Sequence, residues 1–66
     1  MAVAKTIEII ARSATSFEDA IAQGITTAGE SVHAIREAWV QDQKVHVEEG
    51  RIRDYQVSLK ITFVVD

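Results

Sequence analysis

Two residues of this chain have side chains suited to holding a flat polar ligand. Trp39 is the only tryptophan, and its indole can stack on a ring. Gln56 carries an amide that donates and accepts hydrogen bonds at once. The alternatives are an interface tryptophan packed between subunits and a glutamine that is solvated or lies in an interface.

Carboxylates are the second group with possible chemistry. Oxygen ligands suit calcium or magnesium better than zinc. Glu48 and Glu49 are adjacent, Asp66 closes the sequence, and no EF-hand spacing is present. We predict these three as metal ligands that converge, with Asp54, from several subunits, the alternative being a solvated acidic turn. His33 and His46 lack the spacing of a metal pair, which favours surface or interface positions.

The composition argues against several classes of function. The 66 residues include no cysteine and carry a net charge of -3 without a block of Lys and Arg, which argues against nucleic-acid and anionic-membrane partners. There is no cysteine nucleophile, and Gly24 and Gly29 do not form a dinucleotide fingerprint, so we expect no enzyme. The start MAVAKTIEII lacks the apolar core of a signal peptide, which predicts a cytoplasmic protein.

The elements that position these residues begin with a strand over 5–12 and a helix from about Phe17. Ser16 is the predicted N-cap, with Asp19 reciprocating from three residues on. The helix stripe is predicted to comprise Phe17, Ile21, Ile25, Ala28, Val32 and Ile35. Gly24 and Gly29 predict close packing of the helix on a sheet.

A period of two predicts the remaining strands. The second strand contains Ala38, Val40, Val45 and Val47, and its phase breaks near Asp42, which predicts a bulge or bend. Glu48-Glu49-Gly50 predicts a hairpin turn before a third strand that runs to the C-terminus.

We therefore expect a single α+β domain over 1–66, with a three-stranded antiparallel sheet in the order 1-3-2 packed on one helix. One sheet face and both edges are left bare, which predicts self-association.

The segments KTIEIIARSATSFEDAI and GRIRDYQVSLKITF resemble the dodecin family over nearly the whole chain. The resemblance implies a β-α-β-β subunit that assembles into a hollow homododecamer. Flavin-binding dodecins stack the isoalloxazine ring on a tryptophan early in strand two and bond it with a glutamine in strand three. Gln56 matches that glutamine, whereas the register places Glu37 at the tryptophan position and leaves Trp39 two residues later.

The stretch HAIREAWVQDQ resembles the calcium dodecins instead. The interpretation that follows is a non-catalytic binding and storage shell, associated with a cation and with weak or absent flavin binding. The first alternative is a shell that stores riboflavin or FMN through Trp39 and Gln56. The second is a purely structural assembly.

Overall fold

The computed structural model describes residues 3–65, which fold as β-α-β-β. The elements are β1 (Ala4–Ser13), α1 (Phe17–Gly29), β2 (Ile35–Glu48) and β3 (Arg51–Val64). The three strands form one sheet in the order β1-β3-β2, and both pairings are antiparallel. The predicted fold class and strand order are confirmed.

The start of α1 is fixed by hydrogen bonds from side chains. The Asp19 backbone N–H donates to Ser16 Oγ at 3.0 Å, which confirms the predicted N-cap. The predicted return bond from Asp19 is wrong. Its Oδ2 instead accepts from Ser13 Oγ and from Gln23 Nε2, each at 2.5 Å. Ser13 is buried at the end of β1 and also accepts the Thr15 N–H at 2.9 Å. The Asp19 carboxylate is therefore bonded to Ser13 and Gln23 instead of to the backbone N–H of the N-cap residue.

The end of α1 lies earlier than the apolar spacing predicted. The helix ends at Gly29, and Ile35 begins β2, so the predicted stripe is wrong beyond Ala28. The Glu30 N–H bonds three residues back to the Thr27 carbonyl at 3.1 Å, which tightens the last turn, and Ala34 then adopts a φ of 57° just before β2. The chain must leave the helix here to return to the sheet.

Small residues form the closest contact between helix and sheet. The buried positions of α1 are Ala20, Gly24 and Ala28. They pack with the buried β3 residues Val57, Leu59 and Ile61, flanked by the half-buried Phe17 and Ile21.

The two helix glycines differ in their surroundings. A Cβ at Gly24 would lie 3.2 Å from both Ala11 Cβ and Leu59 Cδ1, which confirms close packing there. A Cβ at Gly29 would meet nothing within 4 Å, so the prediction of close packing is wrong for Gly29. Gly29 is the last helical residue and has passed the region of contact with the sheet.

The hairpin between β2 and β3 has the predicted irregularities. Its register shifts between Val40 and Asp42, which confirms the bulge near Asp42. Glu49 and Gly50 have φ values of 52° and 76°, as a two-residue turn of type I′ requires, and this confirms the predicted turn.

The sheet has two unlike faces. Val57, Leu59 and Ile61 have no exposed surface and point to α1, so we call their side the covered face. Because side chains alternate along a strand, Gln56, Ser58, Lys60 and Thr62 point the other way, onto what we call the open face. β1 pairs with β3 only as far as Tyr55, so residues 46–54 form a hairpin arm beyond β1 in a molecule 52 Å long.

Candidate functional site on the open face

The open face gathers most of the residues with possible chemistry. The antiparallel register places a β2 and a β1 residue beside each β3 residue of this face. Beside Gln56, Ser58, Lys60 and Thr62 lie, on β2, Lys44, Asp42, Trp39 and Glu37, and on β1, Arg12, Ile10, Glu8 and Thr6. Trp39 and Glu37 therefore lie on one face, as their spacing predicted, and the register shows that this is the face of Gln56.

Two large apolar side chains on this face are exposed. Trp39 is 66% exposed and Ile10 is 65% exposed. An aromatic ring this open is available to stack on a ligand or to pack against another subunit. Both interpretations of Trp39, as a residue that stacks on a ligand and as a residue of a subunit interface, are compatible with this position.

Gln56 is more buried than its place on a polar face suggests. It is only 6% exposed, and its Oε1 accepts the Nε–H of Arg12 at 2.8 Å across the β1–β3 pair. The amide oxygen is thus already engaged within the chain. Arg12 was not among the residues selected from the sequence. Its place on the wet parity of β1, with Glu8, was the available signal, but the strand register was needed to set it opposite Gln56.

A single chain does not bring Trp39 and Gln56 together. Trp39 lies beside Lys60, four residues along β3 from Gln56, a separation of about 13 Å at the usual rise per residue. Glu37 lies one pair further, beside Thr62. The residues present therefore fit a stacked flavin poorly within one chain, and joint use of Trp39 and Gln56 requires a second copy.

Beside Gln56 the open face has a depression of ≈ 140 Å³. Its lining combines hydrogen-bond donors, one carboxylate and one apolar side chain, namely Ile10, Asp42, Gln43, Lys44, Gln56 and Ser58. The depression is large enough for the polar edge of a small molecule and too small for a whole fused ring system.

At the base of the hairpin arm lies a partly buried hydrogen-bonded pair of a histidine and a carboxylate. His46 Nδ1–H donates to Asp54 Oδ1 at 2.5 Å, across a directly opposed pair of β2 and β3. The hydrogen bond from His46 is the largest influence on this carboxyl and lowers the pKa of Asp54 below its ordinary 3.8, with smaller contributions from the nearby Arg12 and Arg53. Partial burial opposes this shift.

The hairpin tip combines acidic and basic side chains. Glu48 and Glu49 line a cleft together with Arg51, Ile52 and Arg53, and Glu48 Oε2 lies 3.7 Å from Arg53 Nη1. The tip of one chain is therefore close to charge balance. The predicted third ligand, Asp66, lies outside the described residues.

Within residues 3–65, no group of three or more His, Asp or Glu side chains is arranged to hold a metal ion.

The edge of the sheet carries a larger, more apolar groove. It has a volume of ≈ 460 Å³ and runs between β1 and α1, where Ile7, Ile9 and Ala28 supply apolar surface. β1 is an edge strand, so this groove adjoins unpaired backbone groups.

The part of the chain from 3 to 65 contains no helix long and apolar enough to cross a membrane.

Comparison with known proteins shows the same fold and a family match. The family model described as Dodecin matches residues 3–66. The calcium dodecin of Mycobacterium tuberculosis is 38% identical over 63 residues, covering 96% of this chain and 89% of that protein. Its crystal structure, described as a calcium-chelating immunodominant antigen with a novel calcium-binding site, superposes with a TM-score of 0.84 over 97% of this chain and 91% of that one.

A dodecin from Streptomyces davaonensis is 25% identical and superposes with a TM-score of 0.93, covering 98% of this chain and 96% of that chain. The shared β-α-β-β order, the three-stranded sheet and the family match agree with one another. The chain belongs to the dodecin family.

Proposed function

We propose that this protein is a non-catalytic binding and storage protein that assembles into a hollow homododecameric shell and associates with calcium. The observation that carries the calcium assignment is the 38% identity to a calcium dodecin over 96% of the chain. We place the shell in the cytoplasm, and cell fractionation tests that placement.

Exposed apolar surface supports the assembly. Ile10 and Trp39 on the open face, and the facing pair Val47 and Ile52 on the hairpin arm, are each more than half exposed. Clustered apolar surface and bare sheet edges favour pairing with further copies. Light scattering should give a particle near twelve times the chain mass of 7.3 kDa. A monodisperse monomer would contradict the shell.

For calcium, we propose that Glu48 and Glu49 act with Asp66 at junctions between subunits. Arg51 and Arg53 balance the tip within one chain, so additional carboxylates from neighbouring copies are needed for a cation to bind there. A ligand at 100 times its Kd that binds only the assembled state adds about 2.7 kcal/mol to the free energy of unfolding.

The test compares melts in calcium and in chelator at fixed protein concentration and ionic strength. Glu48→Gln, Glu49→Gln and Asp66→Asn are measured singly, with the exposed Glu30→Gln as a matched loss of one carboxylate elsewhere. A calcium shift lost in one of the three and kept in Glu30→Gln identifies a ligand. Identical melts in calcium and chelator would contradict calcium association.

Flavin storage is the second candidate, favoured by the 66% exposure of Trp39 on the same face as Gln56. Stacking on an indole quenches flavin fluorescence, so titration with riboflavin or FMN measures it. Submicromolar quenching that is lost in Trp39→Ala would favour this candidate over the calcium shell. With neither quenching nor a calcium shift, a purely structural shell would be favoured.

The proposed lack of catalytic activity can be tested at His46, which is hydrogen-bonded to a carboxylate. A histidine and carboxylate activate a hydroxyl when the three groups form one hydrogen-bonded chain. His46 bonds to Asp54, and among residues 3–65 no serine or threonine hydroxyl bonds to His46. Turnover of a generic ester by purified protein, lost in His46→Gln, would contradict this part of the proposal.

A further inference from the structure

The two edges of the sheet differ in their regularity. β2 shifts its register against β3 at three places, and such irregularities twist an edge and hinder its pairing with another strand. β1 pairs with β3 over ten consecutive residues, Ala4–Ser13, without a shift. It contains no proline, so no backbone donor is missing along it. β1 is therefore the edge better suited to pair with a further strand.

The side chains of β1 on the open face suit a partner of the same sequence. Glu8, Ile10 and Arg12 occupy alternate positions of the strand, and all three are exposed. Ile10, which is 65% exposed, has apolar surface to bury. Glu8 and Arg12 carry opposite charges, and neither forms a salt bridge with another of residues 3–65. An acidic, an apolar and a basic residue at equal spacing complement the same series running in the opposite direction.

One antiparallel register of two β1 strands satisfies all three side chains. When Ile10 lies opposite Ile10 of the second copy, each Glu8 lies opposite an Arg12, and cross-strand pairs of opposite charge are favourable. A twofold axis at Glu8 would instead place two carboxylates together, and an axis at Ile9 would place Glu8 opposite Ile10. The register centred on Ile10 also sets Ile9 opposite the smaller Ala11 on the covered face.

The helix leaves room for this pairing. A Cβ at Gly24 would lie 3.2 Å from side-chain atoms of Ala11 on β1 and Leu59 on β3, so α1 lies over these two strands and inside the edge. Because neighbouring strands are about 4.8 Å apart, the helices of two copies joined at β1 would lie about 10 Å apart, an ordinary distance for packed helices. The ≈ 460 Å³ groove beside β1, which Gln23 and Thr27 of α1 line, would then be enclosed between the two copies.

We propose that β1 pairs antiparallel with β1 of a second copy about a twofold axis at Ile10, which joins the sheets of two chains into one sheet of six strands. Arg12 uses its Nε–H for Gln56, and its Nη groups donate to the carboxylate of Glu8 of the second copy. This deepens the proposed function, on which it rests, because it identifies one contact by which the shell is built.

A disulfide scan tests the register, since the chain has no cysteine of its own. Cysteines at position 10 would lie directly opposite each other, about 5 Å apart and within reach of a disulfide. At position 9 they would be about 8 Å apart and at position 8 about 14 Å apart, both beyond that reach. Oxidation should therefore link Ile10→Cys into covalent dimers on a non-reducing gel and leave Glu8→Cys and Ile9→Cys largely unlinked.

Charge reversal is a second test that does not depend on disulfide formation. Glu8→Arg or Arg12→Glu alone places like charges opposite each other at both ends of the pairing and should weaken the association of the copies about tenfold. The double variant restores opposite charges in the reversed order and should recover most of the association. Glu30→Arg, which reverses an exposed charge at the end of α1, is the matched control and should have no such effect. Sedimentation over a dilution series measures the association.

Light scattering of the wild type measures the shell separately from this contact. Particles of the expected mass without a link at position 10, or with equal linking at positions 8 and 9, overturn the β1 pairing and leave the shell intact. A double charge variant that associates no better than the single variants also overturns it. A species of two chains that links at position 10 supports the pairing and contradicts the shell, whereas a monomer contradicts both.

Discussion

The two faces of the sheet are built from the same strands but differ in which residues are buried. On the covered face, Val57, Leu59 and Ile61 are fully buried against small residues of α1. On the open face, one residue away along each strand, Trp39 and Ile10 are more than half exposed, while the polar Gln56 is buried and hydrogen-bonded to Arg12.

This difference in burial separates the residues that stabilise the fold from the residues available for binding. The covered face is apolar and closed within one chain, so it stabilises the subunit. The open face has exposed apolar side chains and hydrogen-bonded polar groups, a combination more typical of a surface that contacts a ligand or another copy than of a core. Substitutions on the two faces should therefore have different consequences.

The largest difference is expected from a core truncation. Leu59→Ala removes a fully buried side chain beneath the helix and should lower the free energy of unfolding by about 2–5 kcal/mol. Trp39→Ala, on the open face, should preserve the secondary structure and change the assembly or ligand binding instead. Denaturant unfolding at fixed protein concentration, with light scattering on the same samples, measures both. Equal loss of stability in the two variants would contradict the separation of the faces.

Next in size is the attachment of the helix over the covered face. Ser16→Ala removes the oxygen that accepts the Asp19 N–H and should cost about 0.5–2 kcal/mol. Ser16→Thr retains an accepting hydroxyl and is the control. Thermal melts followed by circular dichroism compare them, and an alanine variant as stable as the threonine variant would argue against the cap.

The helix glycines test how closely the covered face is packed. At Gly29, alanine meets nothing within 4 Å, so its better helix propensity should stabilise the protein by up to about 1 kcal/mol. At Gly24 the same gain is opposed by contacts of 3.2 Å with Ala11 Cβ and Leu59 Cδ1, and overpacking should make the change destabilising by about 1 kcal/mol. Unfolding free energies of opposite sign are expected, whereas stabilisation by both variants would show that the sheet yields at Gly24.

Most of the fold could be predicted because each element has a local pattern. The alternation along β3, the Ser16 cap and the glycine of the turn each depend on residues close in sequence. The end of α1 could not be predicted, because the spacing of Val32 and Ile35 continues the helical period by chance. Only the return of the chain to the sheet decides where the helix stops.

The candidate site was predictable to a lesser degree. Strand periodicity predicts that Trp39 and Glu37 share a face, which the register confirms, and the register shows that Gln56 lies on the same face. The partners of Gln56 and of His46 could not be found, because both bonds join residues on different strands. Such contacts depend on the exact register, which bulges shift and sequence periodicity does not determine.

The smallest expected effect concerns the arm end of the open face, through the pH dependence of stability. The pKa of Asp54 is lowered in the folded protein, chiefly by the hydrogen bond from His46, so folding favours the ionised carboxylate. The contribution of Asp54 to the free energy of unfolding is complete well above the ordinary carboxyl pKa of 3.8. It is lost as the pH falls through the lower pKa of Asp54 in the folded protein. The stability difference between the wild type and Asp54→Asn should therefore be constant near neutral pH and shrink on acidification below about pH 4. Asp42→Asn is the control for general loss of charge. It removes a carboxylate from the same face, and that carboxylate has no hydrogen-bond partner among residues 3–65. Urea unfolding of the three proteins across the acidic range measures this difference, and a difference that stays constant down to pH 2.5 would show that the His46 bond does not favour the ionised carboxylate.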